Sequence, residues 1–108
     1  MTQYTGKNIL TDFRFEKELN TFPRDIQKRM HALFFELGEY GFLSYPDGKK
    51  IDKELFEARI SRDGAWRCIY CYPNYVDILF LVAFRKKTAK TPKEEILKAQ
   101  RRLNNFRN

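Results

Sequence analysis

Seven consecutive apolar residues, Ile78 to Phe84, constrain this chain more than any other feature. A run of that length suits a buried β-strand and falls far short of the roughly 20 residues that a membrane-spanning helix needs. No transmembrane helix and no membrane association are expected. Two stretches before it alternate with a period of two. In Leu55 to Ile60, Phe56, Ala58 and Ile60 alternate with Glu57 and Arg59. In Trp66 to Tyr72, Trp66, Cys68, Tyr70 and Tyr72 alternate with Arg67, Ile69 and Cys71. Such alternation is the mark of strands whose successive side chains face opposite sides. The connections, Ser61 to Ala65 with Asp63-Gly64 and then Pro73-Asn74, are of hairpin length. The three strands, the third running from Tyr75 to Phe84, are therefore expected to form an antiparallel meander with the last strand most buried.

Helical spacing surrounds the meander. Ile26, Met30, Leu33, Phe34 and Leu37 fall on one stripe, with Pro23 suited to the first turn and Gly38 and Gly41 expected to end the helix. A shorter helix is expected within Asp12 to Asn20, before Phe22-Pro23, and a short strand within Lys7 to Thr11. Phe42 to Lys53, with Pro46, Asp47 and Gly48, is expected to be a loop. After the sheet, Arg85 to Lys90 is expected to be a basic loop. Thr91, Pro92 and Glu94 are spaced as a capping box at the start of a last helix, whose apolar stripe is Ile96, Ala99, Leu103 and Phe106. Helices first, sheet in the middle and helix last give an α+β fold, a three- to four-stranded antiparallel sheet flanked by N-terminal helices and a C-terminal helix. With 108 residues, the length predicts one domain over residues 1–108.

Charge is where function first shows. The net charge is +7, and all of it lies in the last quarter. Up to Leu81 acidic and basic side chains cancel. Beyond it stand Arg85, Lys86, Lys87, Lys90, Lys93, Lys98, Arg101, Arg102 and Arg107 against Glu94 and Glu95. Such a field favours a polyanion: nucleic acid, an anionic membrane surface or an acidic protein partner. The N-terminal residues Met1 to Lys7 are polar and precede no apolar signal segment, so a cytoplasmic protein is expected.

Familiar catalytic motifs are absent from the sequence: there is no glycine-rich phosphate loop, nucleophile elbow or carboxylate cluster spaced for magnesium. Cys68 and Cys71 form a CxxC on paper, yet positions three apart on a strand face opposite sides, so buried structural thiols are expected. His31 lies beside the apolar stripe of its helix and is expected to be a surface or half-buried side chain. One histidine and two thiols fall short of the four ligands a zinc site needs. No metal or other cofactor is expected.

The sequence does concentrate cations at strand ends. In a meander the start of the second strand lies near the ends of the first and third, so Arg59, Arg67, Arg85, Lys86 and Lys87 are expected to converge at one edge. Guanidinium groups bind phosphate through a planar fork. They also suit RNA cleavage in which the 2′-hydroxyl attacks the neighbouring phosphate, a reaction that needs cations for developing charge and a group to move a proton. Arg67 is the expected stabiliser with Lys86 and Lys87 beside it, and Glu57 or Tyr70 can move the proton. Glu57 is also placed to form a simple ion pair with Arg59.

Three segments arrive in a telling order: Leu55-Phe-Glu-Ala-Arg-Ile60, Trp66-Arg-Cys-Ile-Tyr70, and Phe84-Arg-Lys-Lys-Thr-Ala-Lys-Thr-Pro92 followed by Glu94 to Arg102. Together they resemble the HigB-like, phage-derived branch of the RelE/ParE toxin superfamily, over roughly Phe15 to Phe106. The resemblance implies a toxin of a type II toxin–antitoxin system that inhibits translation as an mRNA endoribonuclease (mRNA interferase), working on the ribosome. It also implies a cognate antitoxin encoded nearby, of helix-turn-helix type. Carried over by position, the catalytic set is Arg67, Lys86, Lys87, Arg59 and Glu57; from the basic C-terminal quarter, Arg85, Lys90, Lys93, Lys98 and Arg101 are the expected RNA-binding set. Relatives often carry a histidine or tyrosine near the C-terminal end or in the last strand for proton transfer; here the strand ends Val82-Ala83-Phe84 and no His or Tyr follows it. Two other readings share the scaffold: a ParE-like inhibitor of DNA gyrase, and a nucleic-acid or partner-binding module without catalysis.

Overall fold

The computed structural model describes residues 6–108. Its elements run β1 (Asn8–Thr11), α1 (Phe15–Leu19), α2 (Arg24–Tyr40), β2 (Gly48–Lys50), β3 (Phe56–Ser61), β4 (Ala65–Cys71), β5 (Asp77–Lys86) and α3 (Lys93–Arg107). The α+β class and the antiparallel β3-β4-β5 meander are as expected. The sheet, however, has five strands in the order β1-β5-β4-β3-β2, and it is mixed because β1 lies parallel to β5. The first five residues, which begin the polar N-terminal segment, lie outside the described residues.

The two additional strands are short edge strands, which carry too few residues to show a period. β1 joins the sheet beside β5, and α1 and α2 then carry the chain across one face to the opposite edge. There Gly48–Lys50, expected to be loop, pairs with Ala58 to Phe56. Gly48 is required at this turn, since a Cβ would lie 2.6 Å from that of Leu43.

The sheet is covered on both faces. On one, Phe15, Leu19, Ile26, Met30, Phe34 and Leu37 of the first two helices pack on Ala58, Cys68, Tyr70 and Phe80. On the other, Ala99 and Leu103 of α3 pack on Ile69, Cys71, Leu79, Leu81, Val82 and Phe84. Burial on both sides explains the unbroken apolar run of β5. Cys68 and Cys71 are buried, free, and divided between the two faces. His31 is exposed, with its ring edge-on to Phe34.

A β-bulge fixes which residues reach the α3 face. Ile69 pairs with Val82 but Tyr70 pairs with Phe80, leaving Leu81 as the extra residue. Leu81 and Val82 therefore both face α3, and the parity of every later residue is reversed. Phe84 and Lys86 point toward α3. Arg85 points to the other side, where its guanidinium lies 5.1 Å from the Trp66 ring.

Several element ends differ from expectation for identifiable reasons. α2 passes through Gly38 and ends at Gly41, whose φ of +83° is the left-handed conformation that closes a helix. One internal glycine costs a helix only about 1 kcal/mol, and the Gly38 carbonyl is used, accepting from the Lys7 N–H at 2.7 Å. β5 starts at Asp77 rather than Tyr75 because the Asn74 side-chain oxygen accepts the Val76 and Asp77 N–H groups, both at 2.9 Å, in a turn. It continues through Arg85 and Lys86, which pair with Trp66 and Ala65. The basic loop thus begins two residues later than expected. On α3, Phe106 is half exposed and Arg102 is buried in its stead. The Arg102 guanidinium is held by the Glu18 carboxylate through two contacts of 2.8 Å and donates to the Leu81 carbonyl at 2.7 Å. Among the described residues no helix is long and apolar enough to cross a membrane.

Candidate nucleic-acid interface

The α3 face of the β2-β3-β4-β5 sheet carries one acidic side chain amid several cations. Cross-strand register places Lys49 opposite Glu57 and Arg59 opposite Arg67, while Lys86 pairs with Ala65, two residues from Arg67 along β4. Glu57, 1% exposed, and Arg67, 3% exposed, form the floor. The Glu57 Oε1 lies 3.6 Å from the Nε of Arg59 and 3.6 Å from the Nε of Arg67. These are ion pairs just beyond hydrogen-bond distance. The other carboxylate oxygen, Oε2, accepts the Thr91 hydroxyl at 2.8 Å.

That bond corrects the expected capping box. Pro92 is the N-cap residue of α3 and no side chain caps the helix. The Thr91 hydroxyl turns instead to Glu57, where a buried carboxylate offers a stronger acceptor. The KTP segment is thereby tied to the sheet at the base of a cleft of about 350 Å³, lined by Lys49, Lys50, Glu57, Lys86, Lys90 and Thr91 among others.

The cations of the floor are incompletely satisfied. Arg67 Nη1 donates to the Trp66 carbonyl at 3.0 Å and to that of Ile60 at 3.4 Å. The Nε and Nη1 of Arg59 and the Nε of Arg67 are buried with no hydrogen-bond acceptor among the described residues. Burial lowers the pKa of Arg67, a shift that Glu57 opposes and Arg59 reinforces. Lys86, half-buried at the cleft wall, also has a lowered pKa. Burial is the main cause, the positive charges of Arg67, Arg59 and Lys49 add to it, and Glu57 opposes it. Lys86 therefore gives up its proton more readily than an ordinary lysine.

Of the five cations expected to converge, Arg59, Arg67 and Lys86 do so. Arg85 stacks on Trp66 across the sheet, for the parity reason given above, and Lys87 is exposed just beyond β5. Tyr70 is excluded from the cluster: it is fully buried among the α1 and α2 side chains on the opposite face, and burial pushes its hydroxyl pKa far up. Lys90 lines the cleft and Lys93 is exposed at the first position of α3. Lys98 and Arg101 lie elsewhere, in a pocket of about 400 Å³ with Arg14, Arg102, Asn104 and Asn105. Most charge there is matched, since Arg14 pairs with Asp12, Lys98 with Glu95 and Arg102 with Glu18. Lys49 and Thr91 are the site residues that the sequence reading missed; only the pairing of β2 with β3 brings Lys49 across from Glu57. Among the described residues no group of three or more His, Cys, Asp and Glu side chains could hold a metal ion.

Residues 17–104 match the family described as "Phage derived protein Gp49-like". The chain belongs to the Gp49-like family. No curated protein matches this Gp49-like chain. In structure it is similar to the Escherichia coli toxin RelE, in the free state of a double arginine-to-alanine mutant, with a TM-score of 0.68 at 15% identity over 90% of this chain and 97% of that one. It is also similar to a chain of the toxin–antitoxin complex RelBE2 from Mycobacterium tuberculosis, with a TM-score of 0.57 at 15% identity over 75% of this chain and 99% of that one. The Gp49-like chain has the RelE fold.

Proposed function

We propose that the chain is the toxin of a toxin–antitoxin pair and cleaves messenger RNA, presented on the ribosome, in the cleft between β2, β5 and the KTP segment. The observation that carries this reading is the set of buried guanidinium N–H groups without acceptors, beneath a cleft walled by lysines. Buried guanidinium groups that one carboxylate matches only in part leave a positive field, which favours a phosphate held in the cleft above them. The RelE fold and the toxin–antitoxin complex among the similar structures support both the toxin reading and an antitoxin partner.

The chemistry follows from the geometry. Lys86, once it has lost its own proton, accepts the proton of the 2′-hydroxyl, the freed oxygen attacks the adjacent phosphorus, and the bond to the 5′-oxygen breaks. The leaving oxygen takes a proton from a charged lysine of the cleft, Lys49 or Lys90. The products are a 2′,3′-cyclic phosphate and a 5′-hydroxyl. Lys86 takes the proton-transfer role that the sequence reading left between Glu57 and Tyr70. Arg67 is too buried to contact substrate directly. It acts with Arg59 through its field, which favours the extra negative charge of the transition state. Glu57 is a positioning residue that holds both arginines and Thr91.

Brief induced expression in bacteria should stop incorporation of labelled methionine before that of thymidine, with chromosomal DNA intact. Arrest with broken DNA and continuing protein synthesis would overturn this reading in favour of a gyrase inhibitor.

A further inference from the structure

We propose that Tyr45 is a stacking platform for an unpaired RNA base, setting where along the strand the cleft engages; the proposal rests on the RNA reading of that cleft. Tyr45 is 73% exposed. Single exposed aromatics are ordinary, so the inference stands on what holds this one. The Arg59 guanidinium lies 5.5 Å from the ring centroid, within cation–π range. The same guanidinium stands 3.6 Å, through its Nε, from the Glu57 carboxylate that lines the cleft. One side chain therefore joins the ring to the phosphate-binding floor.

The turn that carries Tyr45 is fastened on both sides. The Gly48 N–H donates to the Ser44 carbonyl at 3.0 Å, and the Arg59 N–H donates to the Asp47 carbonyl at 2.8 Å. The ring is thus anchored to the sheet by its turn and by Arg59, while most of its surface remains open. Phe13 makes a similar pair with Arg14, but that guanidinium is tied to Asp12 and lines the charge-matched pocket. Among the described residues, only at Tyr45 does an open ring adjoin cations that lack acceptors. Stacking on an aromatic ring tolerates any base, since each has a π-face, and so it positions a strand without reading its sequence.

The test uses the full chain and a fluorescein-labelled, 2′-fluoro single-stranded RNA 10-mer, which lacks the nucleophilic hydroxyl and stays intact. Fluorescence polarisation gives Kd for the 10-mer and for a series in which each base in turn is removed. With wild type, one abasic position should weaken binding roughly 5- to 100-fold, the range that loss of a single stack produces. Tyr45→Ala should weaken the parent 10-mer to a similar degree and become insensitive to that position. Tyr45→Phe should restore both the affinity and the sensitivity, and Tyr75→Ala, an exposed tyrosine outside the cleft, should match wild type. If Tyr45→Ala keeps the wild-type abasic profile, the platform lies elsewhere and the proposal fails while the RNA reading stands. If wild type does not bind the 10-mer, the platform proposal fails, and the RNA reading is then decided by whether expression of the protein produces new 5′-hydroxyl RNA ends.

Discussion

Lys86→Met is expected to lower the RNA cleavage rate by about 10²- to 10⁴-fold, the usual contribution of a positioned proton-transfer group, while leaving the fold intact. The methionine stem fills the same half-buried position, and Lys86 makes no hydrogen bond or ion pair to another described residue that the substitution would break. The pH dependence identifies the role. The rate should rise with pH as Lys86 loses its proton, with a midpoint below the ordinary lysine range because burial and the charges of Arg67, Arg59 and Lys49 disfavour the ammonium. Lys49→Gln removes one of those charges and should move the midpoint upward. Lys86→Arg keeps the charge but cannot release its proton in this range, so it should be as inactive as Lys86→Met. A Lys86→Arg variant with wild-type rate and pH profile would assign Lys86 to phosphate binding alone.

Arg102→Met is expected to destabilise the fold strongly. Arg102 is buried, and it joins α3 to α1 through Glu18 and to β5 through the Leu81 carbonyl. Removing one member of such a pair costs about 3 kcal/mol, since the remaining partner loses its compensation. At about 4–8 °C per kcal/mol for a domain of this size, the midpoint of thermal unfolding by circular dichroism should fall by about 12–24 °C. A second substitution, Glu18→Leu, should recover part of the loss by removing the uncompensated carboxylate, although the Ala83 N–H, now bonded to Glu18 at 3.2 Å, limits the recovery. A midpoint unchanged by Arg102→Met would show that the contact contributes nothing to stability. The residue also revises the meaning of the basic C-terminal quarter, since one of its charges is spent inside the fold.

What was legible in the sequence was what depends on local period. Alternation marked the first two meander strands and an unbroken apolar run the third; alternation also divided Cys68 from Cys71 and, because hairpin register follows from short connections, put Glu57, Arg59 and Arg67 on one face. What escaped depends on contacts distant in sequence. β1 falls within the short strand expected at Lys7 to Thr11, but its parallel pairing with β5 escaped; β2 is defined by its neighbours and carries no period of its own, and with it went Lys49. The bulge at Leu81 lies within a uniformly apolar run, so nothing in the pattern marks the parity change that separates Lys86 from Arg85. Thr91 has the local signature of a cap, yet a buried carboxylate 34 residues earlier claims its hydroxyl. Arg102 and Phe106 exchange the roles that helical spacing suggests because Glu18 is waiting across the sheet edge.

The central claim is that this cleft cuts RNA by way of the RNA's own 2′-hydroxyl. The most direct measurement is selective sequencing of 5′-hydroxyl RNA ends across the bacterial transcriptome after brief expression of wild type and, separately, of Lys86→Met. The account predicts new 5′-hydroxyl ends within coding regions for wild type and none above background for the variant. Growth arrest without new ends, or the same ends from Lys86→Met at the same abundance, would contradict it.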